Sequence, residues 1–149
     1  MPLRAIAYIS EASAGLPGTV LDTLVGDASR FNMLAGVTGV LLFDGHRFLQ
    51  YFEGPEDGVA AVHERVLHAR SHHGIVELSR GPVAQRFFPY WGMRRLAVDP
   101  GLIRQLSAGD WAGFALRVAH RPSAEGGLQQ LLDAVVRLAG IAPVALVES

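Results

Sequence analysis

The stretch VTGVLLFDGHRFLQYFEG, residues 37–54, decides the fold of this chain. Two runs rich in β-branched, aromatic and leucine residues flank Asp44-Gly45, a dipeptide favoured in tight β-turns. The stretch therefore predicts a β-hairpin. Its second arm places a neutral amide, Gln50, among apolar neighbours, and a buried amide has to find hydrogen-bond partners.

Hydrophobic periodicity on both sides of the hairpin predicts the remaining elements of a small sheet. They are strands over 3–10, 75–83 and 87–98, and helices over about 19–35 and 56–70. The resulting order is β-α-β-β-α-β with a fifth strand added. This is an α+β, ferredoxin-like arrangement with both helices on one face of the sheet.

The other face of the sheet also needs cover, and residues 100–140 predict two more helices. The second of them has an apolar side at helical spacing, made of Leu128, Leu131, Leu132, Val135, Val136 and Ala139. We expect these helices on the open sheet face or at an interface with a partner. The predicted organisation is a core over 1–98 and a helical extension over 99–149, within one compact unit.

Composition excludes several kinds of chemistry. The chain has no cysteine, its 13 basic residues are all arginine, and its formal net charge is −1. Disulfides, zinc–thiolate sites and lysine Schiff bases are therefore excluded, and a nucleic-acid partner is disfavoured because clustered cations are missing. No apolar run reaches the roughly 18 residues of a membrane span, and the start lacks a signal-peptide pattern. We therefore expect a cytoplasmic protein without a membrane partner.

Three polar side chains are predicted to meet beneath the two helices. Tyr8 in the first strand and Gln50 in the third alternate onto the same side as their apolar neighbours, and Asn32 continues the inward stripe of the first helix. Buried amides are usually satisfied within a protein core. The alternative is that their spare donors bind a flat ligand with carbonyl and ring-nitrogen acceptors.

Three motifs in order, IAYIS at 6–10, SRFNMLAGVTGVLLFDGHRFLQYFEGP at 29–55 and YWGM at 90–93, resemble those of the BLUF family, blue-light sensors that use FAD. The resemblance covers residues 2 to about 98. The helices after it, including HRPSA at 120–124, look like the tail of short single-domain members. It implies a photoreceptor rather than an enzyme, with FAD held between the two helices.

The resemblance also implies roles for individual residues. Tyr8 would give an electron and a proton to the photoexcited flavin. Gln50 would relay the proton and end in a changed hydrogen-bond arrangement, because an amide offers both a donor and an acceptor. Asn32 would bind the pyrimidine edge of the flavin. Trp91 and Met93, expected on one face of the fifth strand, would carry the change outward. The remaining cofactor-binding candidates are Ser10, Val25, Leu41, Phe48, Arg65 and His72.

Four positions depart from the family pattern around the expected flavin and its phosphates. Ala28 and Phe31 stand where polar residues are common, and Ala69 and Ser71 stand where an aspartate and an arginine are typical. These departures predict weaker or less specific flavin retention. They also support the main alternative, a BLUF-like interaction protein that has lost its flavin.

The sequence disfavours an enzyme site and a metal site. An enzyme on this scaffold would lack a catalytic cluster, and His68 with His72 lacks further ligands for a metal. Glu53 and Asp44, which flank the hairpin, are interpreted as solvated loop residues.

Signalling is expected to pass through protein contacts. With no output domain in the sequence, the apolar side of 128–139 and the stretch 141–147 predict a homo-oligomer or another partner. The resemblance further implies a separate downstream signalling protein.

Overall fold

The computed structural model describes residues 2–111 and 126–140 of the chain. Five strands and four helices occupy these ranges. In chain order they are β1 (Leu3–Ala12), α1 (Gly18–Leu34), β2 (Thr38–Phe43), β3 (Arg47–Pro55), α2 (Glu56–His68), β4 (His72–Val83), β5 (Arg94–Ala97), α3 (Pro100–Ser107) and α4 (Gly127–Ala139).

The strands form one mixed sheet in the order β4-β1-β3-β2-β5. Strand β1 runs antiparallel to both β3 and β4, β2 runs antiparallel to β3, and β5 joins parallel to β2. The hairpin between β2 and β3 turns at Asp44-Gly45, where Gly45 has a φ of +98°. The ferredoxin-like α+β prediction is therefore confirmed, and so is the hairpin that organises it.

The two faces of the sheet are covered by different pairs of helices. Ile6, Tyr8 and Phe52 pack against the α2 residues Val59 and Val62. The opposite face carries a larger cluster that joins strand residues to α3 and α4, among them Ala5, Leu49, Tyr51, Ile103, Leu131 and Val135. The central strand β3 is therefore buried on both faces, whereas the edge strand β4 is largely exposed or half-buried.

Helix α4 covers the sheet within its own chain. Leu128, Leu131, Leu132 and Val135 on its apolar side are each at most 2% exposed. This confirms that the helices lie on the open sheet face. It weakens that apolar side as an argument for self-association, because these four residues are already buried and Val136 and Ala139 are half-buried. The stretch 141–147 and the HRPSA segment at 120–124 lie outside the described residues.

Element boundaries differ from the predictions mainly near the fifth strand. Strand β5 spans only Arg94–Ala97, whereas 87–98 was expected. The preceding residues make single hydrogen bonds to scattered partners, and Pro89 has no amide hydrogen to contribute to a ladder. Helix α2 ends at His68, and β4 begins at His72, three residues earlier than expected.

Within 2–111 and 126–140, no helix combines the length and apolar character that crossing a bilayer requires. The same ranges contain no group of three or more histidine, aspartate or glutamate side chains placed to hold a metal ion.

Candidate functional site

A cavity of about 150 Å³ lies between α1, α2 and the sheet. Its walls are apolar on both helices and on the sheet, and polar groups are gathered at its floor and mouth. The apolar lining includes Val25, Leu41, Phe48, Val62 and Val66, and the polar lining includes Tyr8, Asn32, Gln50, Arg65, Ser71 and His72. An apolar slot with a few converging polar groups is the usual form of a cofactor site.

Tyr8 and Gln50 form a hydrogen-bonded pair on the cavity floor. They are direct neighbours across β1 and β3, so the strand register alone brings their side chains together. The Tyr8 hydroxyl donates to Oε1 of Gln50. Both side chains are 4% exposed, and burial raises the pKa of the Tyr8 phenol, which therefore stays neutral at physiological pH.

The other end of the Gln50 amide contacts a soft acceptor. Its Nε2 lies 3.5 Å from Sδ of Met93, which is a weak hydrogen-bond acceptor. One side of the amide is therefore held by a phenol and the other only loosely by a thioether. The amide therefore has a donor end and an acceptor end with different partners.

Asn32 occupies the last turn of α1 and is 2% exposed. Its Nδ2 donates to the carbonyl oxygen of Gly92 at 2.9 Å. Its own backbone carbonyl accepts from Val37 N at 2.7 Å. Asn32 thus lines the cavity and also ties the end of α1 to the residues just before β5.

The remaining predicted cofactor-binding residues divide into two groups. Val25, Leu41, Phe48, Arg65 and His72 line the cavity, whereas Ser10 does not. The hydroxyl oxygen of Ser10 instead lies 2.7 Å from Nδ1 of His72, whose Nε2 is 3.0 Å from the carbonyl oxygen of Val66. His72 is therefore oriented from both ring nitrogens, and partial burial lowers its pKa.

Three of the four departures from the family pattern lie at the cavity. Ala28, Ala69 and Ser71 line it, and Phe31 does not. Phe31 instead lies beneath the guanidinium of Arg65, 4.6 Å from its ring centre. Of the described arginines, only Arg65 lines the cavity.

The expectation that Trp91 and Met93 share one face of the fifth strand is wrong. Both residues precede β5, and they enter different cores. Met93 packs with Leu21, Leu41 and Phe48 on the cavity side. Trp91 packs on the opposite side of the sheet, where its ring is 5.8 Å from that of Phe88 and 4.7 Å from the Arg94 guanidinium. Side chains of a segment outside regular strand geometry need not alternate between the two faces. The two-residue spacing of Trp91 and Met93 therefore did not place them on one face.

The interpretation of Glu53 and Asp44 as solvated loop residues is also wrong. Glu53 is fully buried, and its carboxylate accepts from the Tyr51 hydroxyl at 2.8 Å and from the amides of Phe87 at 2.8 Å and Phe88 at 2.6 Å. Asp44 closes its turn by accepting from the amides of His46 at 2.8 Å and Arg47 at 2.7 Å. The Asp44-Gly45 turn motif could have indicated the hydrogen bonds that Asp44 accepts within its turn. For Glu53 the available signal was its place inside a strand that is otherwise apolar.

Comparisons with known proteins agree with this geometry. Residues 3–94 match the family described as "BLUF: Sensors of blue-light using FAD". The antirepressor BluF of Escherichia coli K12, named as regulated by blue light and temperature, is 35% identical over 91 residues, which are 61% of this chain and 23% of BluF. The chain thus spans about a quarter of that relative.

Solved structures give the same result. The dark-state structure of the BLUF protein BlrB is 26% identical with a TM-score of 0.62, covering 64% of this chain and 73% of that one. Klebsiella pneumoniae BlrP1 with FMN and cyclic diGMP is 28% identical with a TM-score of 0.60, covering 93% of this chain and 35% of that one. The matched family is described as sensors, in agreement with the prediction that the chain is not an enzyme. The chain belongs to the BLUF family, the sensors of blue light that use FAD.

Proposed function

We propose that this chain binds FAD in the cavity between α1 and α2 and works as a blue-light photoreceptor. One observation carries the proposal: a neutral, buried Tyr8 phenol donates to a Gln50 amide whose other end meets Met93, and all three line one cavity. Tyr8 would give up the proton, Gln50 would pass it on and Met93 would meet the changed amide, and all three contact the same cavity.

The residues present suit the ring system of a flavin. Apolar side chains of both helices and the sheet offer walls for a flat aromatic group, and the amides of Asn32 and Gln50 offer donors to carbonyl and ring-nitrogen acceptors. The fit is poorer toward the phosphates, because Ala28, Ala69 and Ser71 carry no charge. The proposal therefore rests on the fit of the cavity to the flavin ring system. Binding of the full dinucleotide is expected to be weak.

A bound flavin would supply blue-light absorption and a strong oxidising power while excited. In this chain Tyr8 is placed to release an electron together with its hydroxyl proton. Gln50 accepts the Tyr8 hydrogen bond, so its amide is the group that moves this proton and changes its own pairing. Electron and proton would return to Tyr8 before the light-adapted state is reached, so no net oxidation would remain. Only the changed hydrogen-bond pairing of Gln50 would then persist and relax in the dark. Met93 then experiences a changed partner at Gln50 Nε2.

Absorption spectroscopy of the purified protein, reconstituted with FAD where needed, tests the proposal. Blue light should move the flavin spectrum slightly to the red, and darkness should reverse the change. A bound flavin whose spectrum does not move would show that the Tyr8–Gln50 pair is not a working relay. Failure to bind FAD or FMN would favour the alternative of an interaction protein without flavin. FMN is included because the BlrP1 structure holds it.

The proposed partners follow from the relatives' names and not from the cavity. One relative is named an antirepressor, so we propose that this chain also acts on a separate downstream protein. Self-association remains part of the proposal, although α4 no longer supports it. Light scattering of the dark and illuminated protein measures it, and a monomer in both states would refute it.

Flavin retention gives a testable consequence at Arg65. Arg65→Gln should weaken FAD binding about two- to fivefold and leave riboflavin binding unchanged, since an exposed ion pair contributes about 0.2–1 kcal/mol. Fluorescence titration of the flavin-free protein with both ligands measures the ratio. Arg30→Gln on α1 is the matched control, because Arg30 pairs with Asp27 and does not line the cavity. Equal losses for FAD and riboflavin would contradict a phosphate contact.

A further inference from the structure

The segment 84–93 connects β4 to β5 and brings Met93 to the cavity without being a strand itself. We call it the β4–β5 segment. It has no ladder hydrogen bonds to hold it, so individual contacts must fix its path. Since Met93 lies at its end, those contacts decide where the thioether meets Gln50.

Glu53 makes the most buried of these contacts. One carboxylate oxygen accepts from two successive amides of the segment, Phe87 N at 2.8 Å and Phe88 N at 2.6 Å. The other oxygen accepts from the Tyr51 hydroxyl at 2.8 Å. In its ionised form this carboxyl group makes charge-assisted hydrogen bonds, which are about twice as strong as neutral ones, and Glu53 is fully buried.

Neighbouring contacts continue the same attachment. The guanidinium of Arg86 donates to the Thr38 hydroxyl at 2.9 Å and to the Gly36 carbonyl at 2.7 Å. The ring of Phe88 is 5.5 Å from that of Tyr51, the residue that also donates to Glu53. The first half of the segment is thereby attached to the start of β2 and to β3.

The second half of the segment crosses to the cavity side. The carbonyl of Trp91 accepts from Gly39 N at 2.8 Å, and the carbonyl of Gly92 accepts from Asn32 Nδ2 at 2.9 Å. Met93 follows directly. There are thus four residues between the second amide bound by Glu53 and the thioether at Gln50, too few for the two ends to move independently.

We propose that Glu53 is a positioning residue of the photochemical site, which fixes the β4–β5 segment through the Phe87 and Phe88 amides and so holds Met93 against Gln50. The photochemical part of this inference rests on the proposed function. The positional part concerns the chain alone. Glu53 does not line the cavity and makes no hydrogen bond to the Gln50 side chain, so it acts through the β4–β5 segment.

The test compares Glu53→Leu with Glu53→Gln. Glutamine keeps an oxygen that can accept both amides and gives Tyr51 an amide partner, whereas leucine can accept nothing. In Glu53→Leu the amides of Phe87 and Phe88 should exchange with solvent about tenfold faster or more, because a hydrogen bond to a charged group contributes about 1.5–3 kcal/mol. In Glu53→Gln their exchange should lie between that of wild type and that of Glu53→Leu, because the glutamine oxygen still accepts but carries no charge.

The same samples report on Met93. In flavin-free wild type and Glu53→Gln, NMR should show a nuclear Overhauser effect between the Met93 methyl group and the side-chain amide protons of Gln50. Glu53→Leu should lose it. With FAD bound, Glu53→Leu should lose most of the light-induced red shift, and Glu53→Gln should restore it.

The outcomes separate the two proposals. A wild type without a light response refutes the proposed function but leaves the exchange and methyl measurements to decide the positioning role. A Glu53→Leu protein that retains the Met93–Gln50 contact overturns the positioning role even if the photocycle is normal. If Glu53→Leu does not fold, amide exchange at Phe87 and Phe88 in the wild-type protein still tests the positioning role. Phe87 and Phe88 amides that exchange as fast as that of the exposed Gln85 would overturn the inference.

Discussion

Tyr8→Phe is expected to leave FAD bound and to abolish the light-induced red shift. The substitution removes only the hydroxyl that donates to Gln50, while the ring continues to pack between Phe52 and His72. Without that oxygen there is no phenolic proton to give up with the electron. Difference absorption before and after blue light measures the loss, which should exceed about tenfold, the effect of adding about 1.4 kcal/mol to the barrier of the light-driven step.

Two further variants make this result specific. Gln50→Leu removes the relay but keeps Tyr8, and it should abolish the shift to the same extent. Tyr90→Phe is the matched control, because Tyr90 is 80% exposed and lies away from the cavity lining. It should behave as wild type. A Tyr8→Phe protein that keeps a full, reversible shift would mean that another residue supplies the electron and proton.

The cavity floor could be predicted because it depends on local rules. The Asp44-Gly45 turn sets the register of β2 and β3, and alternation along β1 and β3 then faces Tyr8 and Gln50 the same way. Asn32 follows from helical periodicity within α1. In each case the face that a side chain occupies follows from a fixed period. The pairing of β1 with β3, which joins Tyr8 to Gln50 across 42 residues, followed from the predicted ferredoxin-like strand order.

The β4–β5 segment could not be predicted in the same way. The partners of Glu53 are 34 and 35 residues away along the chain, and they are backbone amides, which every residue except proline has. Nothing in the residue types at 87 and 88 marks them as donors to a carboxylate. For the same reason the opposite placement of Trp91 and Met93 was missed, since it depends on where these long-range contacts turn the segment.

The buried carboxyl of Glu53 should also make the stability of this protein depend on pH. Burial is the main cause that raises its pKa from an ordinary 4.5 to about 7, against the lowering effect of its amide and Tyr51 hydrogen bonds and of Arg86. A raised folded-state pKa means that the folded protein holds this proton more tightly than the unfolded chain. The stabilisation of the folded protein by this proton is fully present below pH 4.5 and is lost as the pH rises to 7.

Glu53→Gln cannot ionise and should not show this loss. The unfolding free energy of Glu53→Gln relative to wild type should therefore rise by about 2–3 kcal/mol between roughly pH 5 and 8, at about 1.4 kcal/mol per unit of pKa difference. Urea denaturation at matched pH values measures it. The titration of His72 is common to both proteins and cancels in the difference. A difference that stays constant with pH would show that Glu53 ionises in the folded protein as readily as in the unfolded chain, so that its three hydrogen bonds offset the whole cost of burial.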